Sequence, residues 1–324
     1  MLNNKKKDKK KKNNDANTER KDPSTILLDE AKFSELSVQQ KIWVVAKVIL
    51  YASSPFILYM CIPAVVIAVG TYLYKGTIFG LDEGYLVSAS NFYTFIGIIT
   101  VLIVLKKLAK KRGTTLSEEI SFSFRNINWK YLFLMYLFGF LASFCVSSVY
   151  TLLPDFLMGR YDELSGAIYT GYDMILVMAS LALLDPIAEE IVFRGYMLNR
   201  LLPPLKEKKS IIIVSAIFAL CHLSVFWMIY SFVMGVVLAK ISIRHDNIAY
   251  SISMHMGFNV FKVIIYYISL NEKLNSLLFG NKLIIFMYAI ITGGLLYFLV
   301  KTYSKLENLG LNLDIRRIFN RKVK

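Results

Sequence analysis

Apolar runs close to 20 residues long recur between residues 50 and 301, and they restrict the fold of this chain more than any other feature. A helix rising 1.5 Å per residue needs about 20 such residues to cross a hydrocarbon layer roughly 30 Å thick. In lipid, every backbone N–H and C=O must find its partner within the protein, so repeated runs of this length point to a bundle of membrane helices. The composition agrees. Of the 324 residues, 56% are hydrophobic, against roughly 45–50% in ordinary soluble domains, and the mean hydropathy is +0.49. The chain reads as all-α, a polytopic transmembrane bundle of about eight spans.

The spans are expected near 50–74, 91–107, 130–153, 172–199, 210–226, 227–243, 248–269 and 283–301. Lys106, Lys107, Lys110, Lys111 and Arg112 follow the second span, and Arg200, Lys206, Lys208 and Lys209 follow the fourth. Arg244 follows the sixth, and the C-terminal tail is basic. The alternate loops carry few basic residues, so one orientation satisfies all of them, with both termini in the cytoplasm of a multi-pass plasma-membrane protein. Residues 1–23 are expected to form a disordered lysine-rich tail, and 24–49 an interfacial helix along the cytoplasmic surface. Residues 50–153 form the N-terminal spans, and 271–324 the last span and a basic tail. The net charge of +15 collects at the ends of apolar runs, which points to anionic lipid and not to nucleic acid. Cys61, Cys145 and Cys221 are scattered within apolar runs and make neither a disulfide framework nor a CxxC metal site.

Within the spans the ionisable residues far from both ends are Glu189, Glu190, Arg194, His222 and His255. Such residues face the bundle interior and mark functional sites. Glu189 lies 11 residues before Arg200, His222 lies 13 after Lys209, and His255 lies 8 after Asn247. Each is therefore roughly 12–20 Å from the cytoplasmic boundary, and three helices bring polar groups to one level. Glu190 and Arg194 are four apart on one face, with the acid first, the favourable order. Phe218 and His222 are also four apart, as are His255 and Asn259. Asp185-Pro186 reads as a helix start, with Asp185 as N-cap. Span four is then broken there, and both glutamates fall at the positive end of a new helix.

Together Glu189-Glu190-x-x-x-Arg194, Phe218-x-x-x-His222 and His255-x-x-x-Asn259 resemble the motifs of the CPBP family of intramembrane glutamic endopeptidases. That family includes type 2 CAAX prenyl endopeptidases and bacterial homologues linked to bacteriocin processing or self-immunity. The resemblance covers roughly 170–270, which would be the catalytic core, and residues 1–130 carry no recognisable motif. It implies that Glu189 activates a water held also by His222, and that His255 and Asn259 donate to the oxyanion of a tetrahedral intermediate. It further implies that Glu190 and Arg194 form the ion pair that fixes the helix, with Phe218 in support. The substrate would be a peptide or membrane protein, with no cofactor and no metal.

The residues are compatible with these roles on general grounds. Amide hydrolysis needs a base and preorganised donors to the oxyanion. No H-E-x-x-H zinc motif, GxGD aspartyl motif or GxSG serine motif is present. A glutamate and two histidines are nevertheless a plausible zinc ligand set. Cys221 is adjacent to His222, but neighbouring helical residues point about 100° apart. His245, between Arg244 and Asp246, reads as uninvolved. A bacteriocin self-immunity or scaffold protein that acts without proteolysis is the main alternative, and a transporter with a buried proton relay is a weaker one.

Overall fold

The computed structural model describes residues 35–76, 83–125, 127–154, 174–202, 205–222 and 224–308. The expected tail, residues 24–34 of the expected interfacial segment and the terminal basic residues from 309 onward lie outside them. No strand occurs among the described residues. The helices are α1 (Val38–Gly76), α2 (Glu83–Lys111), the single turn α3 (Leu116–Glu119) and α4 (Trp129–Leu152). They continue as a composite α5 (174–201), then α6 (Glu207–Leu220), α7 (Val225–His245), α8 (Ala249–Ser269), α9 (Glu272–Phe279) and α10 (Lys282–Asn308).

Among the described residues, five stretches are long and apolar enough to cross a membrane: Val38–Gly70, Phe92–Lys111, Trp129–Leu152, Val225–His245 and Lys282–Ser304. The remaining expected spans fall on α5, α6 and α8, the segments that carry the motif residues. α8 has His255, Asn259 and Lys262 among its apolar residues, and α6 has 14 residues, only about 21 Å of helix. Span five was expected over 210–226, but the helix ends at Leu220, and Cys221 and His222 form a turn before α7 starts at Val225. His222 therefore lies in that turn and not on a helical face. Residues 38–49 run without a break into the first span as part of one 39-residue helix.

α5 departs most from expectation. Asp185 does not cap a new helix: its own backbone is helical (φ −58°, ψ −51°), and Leu184 before it is helical with no side-chain cap. The helix passes through Pro186 instead of breaking. Proline lacks an N–H and its ring presses on the carbonyl four residues back. Here the chain widens into π-helical turns at Met178–Leu184 and Ile191–Leu198, on both sides of the α-helical Asp185–Glu190. Such turns relieve a proline and are frequent at functional sites. The glutamates thus sit mid-helix, away from any free N-terminus.

Two glycines set how closely α4 and α8 meet. A Cβ on Gly139 would lie 1.8 Å from the Met254 carbonyl oxygen, and one on Gly257 would lie 2.0 Å from that of Tyr136. The backbones touch, as small residues permit in membrane bundles. Ser253 Oγ adds a 2.8 Å hydrogen bond to the Leu132 carbonyl on the same seam. Gly257→Ala is expected to force the helices apart and cost about 1–3 kcal/mol by overpacking. Thermal unfolding of the detergent-solubilised protein measures this, and an unchanged midpoint contradicts the backbone contact.

The connection between α2 and α4 ties the ends of α5 and α8 together. Asn199 Nδ2 on α5 donates to Ser121 Oγ (3.2 Å), and the Ile248 amide before α8 donates to the Ser121 carbonyl (3.1 Å). Asn247 Nδ2 reaches the Ser123 carbonyl at 2.8 Å. Arg112 grips Glu119 from Nε (2.7 Å) and Nη2 (2.5 Å), and Thr114 Oγ1 donates to the same carboxylate at 2.7 Å. Burial pushes the Glu119 carboxyl up, but these hydrogen bonds outweigh it and bring it from 4.5 to about 2. The folded value lies below the unfolded one, so the stability it contributes is complete above about pH 5 and lost as pH falls towards about 2. Protection factors for amides 112–121 are expected to fall across that window, and the fall should be absent in Glu119→Gln.

Candidate active site

The charged residues of α5 converge with α8. Arg194 Nη1 donates to Glu190 Oε1 at 2.5 Å, and neither side chain is exposed at all. The guanidinium also donates from Nη2 to the Gly235 carbonyl on α7 (3.3 Å) and lies 4.6 Å from the centroid of the Phe218 ring on α6. One guanidinium therefore joins α5 to both α6 and α7. A buried charge needs such a partner and such company to be tolerated.

His255 bridges the two glutamates. Its Nδ1 is 3.0 Å from Glu190 Oε1, and its Nε2 is 3.5 Å from Glu189 Oε2. An ionised Glu190 only accepts, so Nδ1 carries the proton, and Nε2 is then a donor only in the imidazolium form. The carboxylate fixes the ring, as a second ligand shell or a triad acid does. The glutamates differ in access: Glu190 is sealed, whereas Glu189 keeps 20% of its side-chain surface. Tyr59, on α1, donates its hydroxyl to Glu189 Oε1 at 3.4 Å.

His222 joins the cluster through Phe218. Its Nδ1 lies 2.9 Å from the Phe218 carbonyl, so that nitrogen is the donor and Nε2 of the neutral ring is an acceptor. Its ring lies 5.0 Å from that of Phe218, which in turn stands edge-to-face with His255 at 5.9 Å. Among the described residues His222 makes no direct hydrogen bond to either glutamate. Asn259 shares a face with His255, but its Nδ2 donates to the Leu181 carbonyl in the first π-helical turn, at 2.9 Å. Its amide has a second N–H. Glu189, His255, Glu190, Arg194 and Phe218 are thus linked by successive contacts into one cluster, which His222 joins through Phe218 and Asn259 borders on the face of α8. No group of three His, Cys, Asp or Glu side chains is placed to hold a metal ion among the described residues.

Three features were missed in the sequence. Tyr59 lies in a helix without a motif, and nothing in its surroundings signals it. Trp227, whose ring is 5.2 Å from that of His222, looks like any aromatic of a span. Lys262 carried a readable signal: it follows His255 by seven residues and Asn259 by three, the spacing of one helical face.

Fold and cluster together define an all-helical membrane protein with a charged site enclosed between its helices. Residues 171–261, under a third of the chain, match the family model described as Type II CAAX prenyl endopeptidase Rce1-like. Over this segment the chain is similar to the CPBP, or CAAX protease, family. No curated protein and no solved structure matches it. Tyr59 and Lys262 both fall outside the matched segment, the latter by a single residue.

Proposed function

We propose that this protein is an intramembrane glutamic endopeptidase of the plasma membrane that hydrolyses a peptide bond in a peptide or membrane-protein substrate. The observation that carries this reading is the division of labour between the adjacent glutamates. Glu190 is consumed in a sealed ion pair, while the neighbouring Glu189 keeps access and faces His255.

Glu189 takes a proton from water as the oxygen attacks the scissile carbonyl carbon. His222 accepts a hydrogen bond from the same water at Nε2, its tautomer held by the Phe218 carbonyl. The tetrahedral oxyanion receives hydrogen bonds from His255 Nε2, in the imidazolium form, and from the second N–H of Asn259. The C–N bond then breaks, and the proton held by Glu189 passes to the leaving amine. Glu190 and Arg194 hold α5 and the His255 ring in place throughout. No cofactor or metal enters this scheme.

Helices α1, α2, α4, α5, α6, α7, α8 and α10 supply eight crossings, with both termini in the cytoplasm and the basic tails against anionic lipid. This reading is supported by the basic loops after the second, fourth and sixth spans. The test compares peptides released from membranes of cells producing the wild-type protein with those from cells producing Glu189→Ala at equal level. Products that depend on Glu189 are expected. An identical peptide profile with an intact wild-type phenotype in the variant favours the non-proteolytic immunity or scaffold role instead.

A further inference from the structure

Lys262 lies thirteen residues beyond Ala249, the first residue of α8, and seven before Ser269, the last. It shares a face with His255 and Asn259, about 10 Å along the axis from His255. A lysine in a membrane helix ordinarily snorkels its ammonium to the interface. Lys262 turns inward. Its Nζ donates to the Tyr230 hydroxyl and lies 4.4 Å from the Tyr230 ring centroid, 5.1 Å from that of Trp227 and 5.2 Å from that of Phe258. Trp227 also contacts the His222 ring at 5.2 Å, so one indole touches both the ammonium and a motif histidine.

No carboxylate lies within ion-pair distance of the ammonium among the described residues: its polar contact is a neutral hydroxyl, the rest is ring faces, and Glu189 attracts it only from farther off. Rings stabilise a cation, but they do not neutralise it. A charge held this way inside the bundle is costly until an anion joins it, and intramembrane charges of this kind line substrate paths.

We propose that Lys262, with Tyr230, Trp227 and Phe258, forms a recognition site for a carboxylate of the bound polypeptide. That carboxylate is either the free C-terminus or an acidic side chain. The site lies beside His222 and selects which segment is presented to Glu189. The inference rests on the reading of Glu189 and His222 as the hydrolytic centre, and it adds a specificity determinant that acts on binding.

The experiment uses the full-length protein carrying Glu189→Gln in lipid nanodiscs, with N-terminally fluorescent hexapeptides of Ala, Leu and Val read by anisotropy. One peptide ends in a free carboxylate, one in a carboxamide, and one is the carboxamide with a single internal Glu. The free acid, the Glu peptide or both are expected to bind about tenfold or more tightly than the plain amide, and which of them does so identifies the source. The preference should vanish in Lys262→Met and persist in Lys262→Arg. Equal binding of all three peptides, no measurable binding of any, or a preference that survives Lys262→Met overturns the proposal. The three-peptide comparison needs no change at Lys262, so a misfolded variant cannot mask the answer. Wild-type cleavage without a carboxylate preference sinks this site alone. A Lys262-dependent preference without any cleavage sinks the proteolytic reading and leaves the site standing.

Discussion

Arg194→Met is expected to destabilise the protein by about 3–5 kcal/mol, the cost of leaving one member of a buried ion pair uncompensated. The loss is concentrated because the guanidinium is shared: it binds Glu190, the Gly235 carbonyl and the Phe218 ring, on three different helices. Glu190→Gln combined with Arg194→Met should recover much of that loss, since an apolar chain beside a neutral amide strands no charge. Arg194→Lys keeps the charge but not the planar fork, so it should fall between the two. Unfolding of the purified protein in detergent orders the four proteins. If the double variant is no more stable than Arg194→Met, the pair is not what holds α5.

Glu189→Gln is expected to do the opposite, lowering cleavage by about 10²–10⁴-fold, the range for loss of a general base. Stability should change by less than about 1 kcal/mol, as for substitutions that break no buried network. Its contacts are long, 3.4 Å to Tyr59 and 3.5 Å to His255, and its side chain stays one-fifth exposed. Glu190→Gln should reduce both activity and stability, because it removes the partner of Arg194 and of His255 Nδ1. Adjacent glutamates with separable phenotypes are the signature to look for. A Glu189→Gln protein that still turns over while Glu190→Gln folds but does not would reverse the assignment of base.

Much of the bundle was readable because a membrane leaves few options. Run length alone gave α4 and α7 to within a few residues, and charge at helical spacing gave the Glu190–Arg194 pair. The π-helical turns were not readable. Apolar pattern reports which residues are buried but not which carbonyl each N–H meets, so Asp185-Pro186 looked like a helix start when it is a proline carried within a widened helix. The end of α6 at Leu220 was hidden for a related reason: the residues that follow it in the sequence are largely apolar, and only the polar His222 and Ser224 interrupt the run. Lys262 was passed over although it lies as far from the nearer end of its expected span as His255 does. Tyr59 could not have been found, since its partner is 130 positions away and tyrosines are common in this chain.

The hydroxyl that α1 lends to Glu189 comes from outside the family-matched segment. A polypeptide trimmed to 171–261 would keep both glutamates and both motif histidines, yet it would lack Tyr59 and the wall of Phe56 that stands 5.5 Å from Phe193. Glu189 would then lose its phenol neighbour. One side of the Glu189 carboxylate is thus walled by a helix that the matched segment does not contain.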